Sequence, residues 1–212
     1  TSQLFSFATT IDVTLAGNYV LNVWLTLAGD QYIYNDSAQA IINVVGGTSA
    51  TLPFVNDFEL DVNCSNNTNC EATICTITNG WLNEANLDQD DIDFRVWSGA
   101  TGSTGTGPTV DHTLGTAAGK YIYLEASNCF GKSSNLISPC IDLTNSPSPQ
   151  LTYWYHMWGP AMGELHVDIF SQGGWINDVI PAIVGNQGNQ WSQGVVNLAP
   201  WTGEIINIRF AA

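Results

Sequence analysis

Apolar side chains alternate with polar ones at a period of two along most of this chain, and helical periodicity is nearly absent. In NYVLNVWLTL (18–27), Tyr19, Leu21, Val23, Leu25 and Leu27 share one face. In GKYIYLEAS, Ile122, Leu124 and Ala126 alternate with Tyr121, Tyr123 and Glu125. Leu165, Val167 and Ile169 oppose Glu164, His166 and Asp168, and Ile206, Ile208 and Phe210 form a further stripe. A period of two turns successive side chains to opposite faces of a strand. Gly, Asn, Asp, Ser and Pro fill the gaps, so the strands are short and joined by turns. The expected fold class is all-β, an antiparallel sandwich.

A domain boundary is expected at GGTSATLP (46–53). Residues 1–47 hold too few strand-like runs for a whole immunoglobulin-like sandwich, which needs roughly seven. They are expected to be the last part of one. Within them, GDQYIYNDSA (29–38) resembles the turn before the closing strands of Ig-like repeats in bacterial surface proteins. The run SGATGSTGTGP (98–108) is read as a loop inside the second domain, because strand patterns resume directly after it.

Charge excludes some partners. Nineteen Asp and Glu against four Lys and Arg give a formal net charge of -15. That surface repels phosphate backbones and anionic lipid, so nucleic acid is excluded and cations are the natural counterpart. No run approaches the roughly 20 apolar residues of a membrane span, so no membrane insertion is expected. The five cysteines, Cys64, Cys70, Cys75, Cys129 and Cys140, form no C-x-x-C pair. They read as disulfide candidates of an exported protein, with one left over or paired outside this chain.

From Pro53 onward, motifs appear in a recognisable order. They are DFE (57–59), DFRVW (93–97), TGPTVDHTLGTAAGKYIYLEAS (106–127), LISPCIDL (136–143), LTYWYHMWGPAMGELHV (151–167), GNQGNQW (185–191) and INIRF (206–210). In this order they resemble a MAM domain, the extracellular adhesion module named for meprin, the A5 antigen and receptor phosphatase mu. The resemblance implies a jelly-roll sandwich over 53–212. The cysteine-rich start and the Gly/Thr loop look like the bacterial versions, found in large secreted adhesins of gliding bacteria. The family's usual last strand, of the form A-x-DDI-x-I, does not follow Phe210. With the incomplete Ig-like part, this suggests a piece of a longer polypeptide, which an intact native mass equal to that of the 212 residues would refute.

The resemblance also implies a bound cation, often calcium, near the opening strand. Carried over by motif position, the candidate ligands are Asp57 and Glu59 of DFE, Asp93 of DFRVW and Asp111 of DHT, with Asp91 as an addition. Hard oxygen ligands suit calcium. The acidic run DQDDIDF (88–94) is not an EF-hand, because its sixth position is Asp93 rather than Gly and its twelfth is Gly99 rather than Glu.

His156 poses the catalytic question. It lies in LTYWYHMW, aromatic on both faces. No G-x-S-x-G or papain-like cysteine supplies a nucleophile for it. It is read as a packed strand histidine, His112 as a turn histidine beside Asp111, and His166 as a strand-face residue. Trp158, Trp175, Trp191 and Trp201 are read as packing rather than as a sugar platform. Ser37, in the short D-S-A pattern, is a candidate for bacterial O-glycosylation. No catalytic residue is assigned.

The functional expectation is a non-enzymatic, calcium-stabilised adhesion or interaction module, secreted or at the cell surface. Expected partners are other domains of the same polypeptide, secretion or surface proteins, and surface glycans. The alternatives are a carbohydrate-binding accessory module and a non-catalytic appendage of a secreted protease or other hydrolase.

Overall fold

A computed structural model describes residues 17–24, 37–44, 49–65, 70, 75–84 and 90–212. Among the described residues, fourteen strands run in chain order: β1 (Gly17–Trp24), β2 (Ser37–Val44), β3 (Ser49–Ala50), β4 (Leu82–Asn83), β5 (Arg95–Ser98), β6 (Lys120–Tyr123), β7 (Asn135–Ile137), β8 (Cys140–Asp142), β9 (Gln150–Tyr155), β10 (Glu164–Ser171), β11 (Gly174–Ile176), β12 (Ile183–Val184), β13 (Ser192–Asn197) and β14 (Ile205–Ala211). Among the described residues the only helical element is a 3-10 turn at Ala199–Trp201, so the fold is all-β as the periodicity predicts.

Eight strands form one sheet. Its central path is β11-β10-β14-β7-β4, with β12 on β10, β8 on β14 and β3 on β8. Every pairing is antiparallel except β3 with β8, where Ser49 lies beside Cys140. β14 is flanked on both sides, with Ile169 opposite Ile208 and Asp168 opposite Arg209 across β10. β10 turns into β11 through Gln172 and Gly173, both at positive φ. Two such residues twist a two-residue hairpin in the sense of the strands it joins.

Two separate ladders, β9 with β13 and β5 with β6, pack over this sheet. Val167, Ile169, Ile206 and Ile208 of the sheet meet Val196 of β13, with Leu151 and Tyr153 of β9 against them. Leu136 of β7 meets Val96 of the second ladder and Phe94 just before it. Phe210 touches both clusters and joins the two halves of the sandwich. Burying such a row of branched side chains stabilises each contact by about 1.5–3 kcal/mol per side chain. At Gly194 a Cβ would overlap the ring of Tyr153, so only glycine lets that ring lie across β13.

The segment after β3 belongs to this body, since Ala50 and Phe54 pack on the first cluster and Phe58 on the second. β1 and β2 form an eight-pair antiparallel hairpin, Gly17 opposite Val44 through to Trp24 opposite Ser37. Ser37, the glycosylation candidate, is exposed at the start of β2. The expected boundary at 46–53 and the turn at 29–38 lie partly outside the described residues.

Candidate functional site

The alternation along β9 sorts its aromatics onto two faces. Tyr153 points inward, with its ring centroid 5.0 Å from that of Phe210. Trp154 and His156 point outward, where the loop at 101–119 crosses them. Gly107 N–H donates to Trp158 O at 3.0 Å, and Trp191 Nε1–H donates to Val110 O at 3.0 Å. His112 stacks on Trp154 at 3.7 Å between centroids. His156 Nε2 is 3.1 Å from Asn189 Oδ1, which can only accept, so Nε2 carries the proton. Burial holds its pKa below 6.5, partly offset by that hydrogen bond, and the ring is neutral at neutral pH. Its partner is an amide and not a hydroxyl or thiol, which matches the packing role read from sequence.

Asp111 organises the loop from within. Its side chain is 1% exposed, Oδ2 accepts from Leu114 N at 2.6 Å, and Oδ1 accepts from Thr116 N at 3.1 Å. A Cβ at Gly119 would overlap this carboxylate, so the neighbouring strand must approach as bare backbone. Both oxygens of Asp111 are therefore committed to main-chain amides.

The five candidate metal ligands are distributed over separate places. Asp57 is exposed and caps Glu59 N at 3.2 Å. Asp91 Oδ2 accepts from Ser133 N at 3.1 Å. Asp93 lies beside Asp90 and Arg95, and burial holds its carboxyl above the ordinary value. Among the described residues no three His, Cys, Asp or Glu side chains gather as a metal cage. Glu59 stands where oxygens converge on a cation. That cation is the Lys120 ammonium, which donates to Glu59 O at 2.9 Å and to Asp61 O, while Lys120 N donates to Glu59 Oε1 at 2.8 Å. Asp61 was not singled out from sequence. It is buried, Oδ1 accepts from Thr78 N at 2.5 Å, and Oδ2 has no hydrogen bond. Only four basic residues occur in the chain, and that scarcity is the sequence signal that Lys120 has a specific partner.

Two further charged clusters gain partners from distant segments. Asp90 accepts from Asn135 N at 2.7 Å beside Glu84, Asp91 and Asp93, and burial pushes its carboxyl up to about 7. His166 lies between Asp178, 2.7 Å from Nδ1, and Glu164, 3.2 Å from Nε2. The hydrogen bond to Asp178 holds its pKa above 6.5.

Cys64 is bridged to Cys75 and Cys70 to Cys129. Cys140 is the cysteine outside both bridges, on β8 beside Asn207. Trp158, Trp175, Trp191 and Trp201 are all part-buried, and Arg209 lies 4.3 Å over Trp175. The exposed tryptophans among the described residues are Trp24 of β1 and Trp154 of β9.

Comparison with known proteins agrees with this geometry. The profile of the family described as "MAM domain, meprin/A5/mu" matches residues 69–212. Neuropilin-1a of Danio rerio is 33% identical over 126 residues, which are 55% of this chain and 13% of that protein. Neuropilin-1 of Gallus gallus is 35% identical over 124 residues, 56% of this chain and 13% of that protein. MAM domain-containing glycosylphosphatidylinositol anchor protein 2 of Mus musculus is 31% identical over 129 residues, 54% of this chain and 14% of that protein. The chain thus matches about an eighth of the length of these relatives. The cleaved K1 adhesin domain of Lys-gingipain from Porphyromonas gingivalis superposes with a TM-score of 0.35 at 16% identity, over 62% of this chain and 84% of that one, too low to support an argument. The matched domain covers more than half of the chain, and the protein belongs to the MAM family.

Proposed function

We propose that this chain is a non-catalytic extracellular interaction module of a large secreted or cell-surface protein, of the bacterial adhesin type. The observation that carries it is the MAM match over 69–212, joined to a histidine just after β9 that is held by an amide within aromatic packing. Two disulfides fit export to an oxidising compartment. The cysteine-rich start and the Gly/Thr loop support the bacterial type. The eight-pair β1–β2 hairpin supports an Ig-like end over 1–47, followed by the jelly roll over 53–212. In this reading rigid β-modules in series hold a binding surface away from the cell, a role that requires stability rather than chemistry.

The reading includes a calcium ion at the opening segment. Its support is the family resemblance, the main-chain oxygens of Glu59 and Asp61 that take the Lys120 ammonium, and the buried Asp61 Oδ2, which has no hydrogen bond. Two carboxylates with main-chain carbonyls are suitable hard donors, and a metal there would displace the Lys120 ammonium. Asp57 is the nearest further candidate in sequence. Asp111, with both oxygens committed, is outside this set.

Beads coated with the chain test the module reading. They are expected to adhere to intact cells of the source organism, and beads carrying the reduced, unfolded chain are not. Equal retention of the two would remove the reading. Melting with EDTA against added calcium tests the metal alone: an unchanged midpoint leaves the module and removes the ion.

A further inference from the structure

The outer face of β9 and β13 is uncharged in a chain of 19 acidic and four basic residues. Neither QLTYWY nor SQGVVN contains Asp, Glu, Lys or Arg. Three cross-strand pairs make up its exposed part: Trp154 beside Gln193, Thr152 beside Val195, and Gln150 beside Asn197. The alternate residues Leu151, Tyr153 and Val196 are committed to the core beneath.

One end of this face is closed. The loop at 101–119 covers Trp191 through the Val110 carbonyl, and His112 ends the cover by stacking on Trp154. Trp154 nevertheless remains 43% exposed. Beyond it the two strands form an open shelf about 14 Å long, five residues of extended chain. The shelf is stepped at its aromatic end and open at the other.

The chemistry of this shelf selects its occupant. An indole carries negative charge density on its face and attracts polarised C–H bonds. Gln150 and Gln193 each offer amide donors and an acceptor, Asn197 offers amide donors while its Oδ1 accepts from Ala199 N, and Thr152 offers a hydroxyl. An anionic ligand is repelled by the field of a -15 chain. A cationic ligand finds no carboxylate on either strand to pair with. A sugar ring, with C–H bonds on its faces and hydroxyls on its rim, complements an uncharged shelf of this kind.

We propose that the β9–β13 shelf binds a neutral oligosaccharide. Trp154 stacks on one ring, and Gln193, Thr152 and Gln150 hydrogen-bond the hydroxyls of that ring and its neighbours. This deepens the interaction-module reading by naming its ligand class, and rests on it.

The test uses the 212-residue chain on a printed array of neutral, sialylated and sulfated oligosaccharides. Wild type is compared with Trp154→Ala, Val195→Asp and Ile176→Asp. Val195 is exposed on the shelf and Ile176 is exposed on β11, so neither substitution opens the core. Neutral glycans are expected to be retained by wild type and Ile176→Asp. Binding should fall about tenfold in Trp154→Ala and Val195→Asp, with the melting temperature of Val195→Asp unchanged. Retention of charged glycans only, of none, or equal retention by all variants overturns the proposal. If coated beads still adhere to cells while no glycan binds, the module reading stands and the shelf proposal falls. If the shelf variants lose glycan while bead adhesion is absent in every form, the shelf stands and the adhesion reading falls.

Discussion

The imidazole of His112 lies face to face with the indole of Trp154, at 3.7 Å between centroids and 17° between planes. This stack ties the end of the 101–119 loop to an exposed strand position. His112→Ala should lower stability by about 1 kcal/mol. Hydrogen exchange in the loop should quicken while β10 and β14 keep their protection. Unchanged exchange across the loop would show that the stack does not hold it.

Asp111 separates structural from metal-binding roles for the acidic residues. Asp111→Ala removes the acceptor of two loop amides from a buried site, and should cost about 2–3 kcal/mol. The loss should be the same in EDTA and in calcium. A loss seen only in calcium would place the carboxylate at a metal instead. Gly119→Ala should resemble it, because the added methyl displaces the same carboxylate.

Arg209 neutralises Asp168, a carboxylate 2% exposed in the middle of β10. Its Nε donates at 2.8 Å and its Nη2 lies 2.7 Å from the same oxygen. Arg209→Met leaves that charge buried and should cost about 3–5 kcal/mol. The double variant with Asp168→Asn should recover part of the loss in urea unfolding. Strict additivity of the two substitutions would mean the pair is not coupled.

Stability should fall as pH rises from about 5 to 8, for two separable reasons. Asp90 ionises near 7 in the fold rather than at its ordinary 3.8, chiefly because it is buried. The folded state therefore holds a proton the unfolded chain has released, and stability declines from 3.8 up to about 7. His166, raised by its hydrogen bond to Asp178, is charged between Glu164 and Asp178 with Asp168 nearby. Its contribution is full below 6.5 and is lost as pH climbs through the folded value. Asp90→Asn keeps an acceptor for Asn135 N and should flatten the lower part of the curve, gaining on the order of 3 kcal/mol near pH 8. His166→Gln should flatten only the upper part. Melting curves of both variants running parallel to wild type at every pH would contradict these assignments.

The two disulfides should differ in weight. Cys70–Cys129 spans 59 residues and Cys64–Cys75 spans 11. By loop-closure entropy, Cys70→Ser with Cys129→Ser should cost about 4 kcal/mol and the other double substitution about 3. Differential scanning calorimetry checks the order, and a larger loss from the shorter loop would refute it.

Much of the fold was legible because strand periodicity is a local property. The stripes Val167–Ile169 and Ile206–Ile208 are core rows in the structure, and the motifs from DFRVW to INIRF lie within the residues that match the family. The ligand set was less legible. Asp93 and Asp111 stand in family positions, yet one sits beside Arg95 and the other caps a turn. Spacing along the chain carries no information about which carboxylate an amide 42 residues away will claim, as Ser133 claims Asp91.

By itself, then, the sequence determined the element type, the two faces of each strand and the family, since these follow from alternation and ordered motifs. Tertiary structure alone decided which face of β9 is covered, which cysteines meet, and that Lys120 stands among the oxygens of Glu59 and Asp61. Those outcomes depend on contacts between residues far apart in the chain. A strand's pattern can say that Tyr153 and Trp154 point opposite ways, but only the packing of loop and sheet says which of them water reaches.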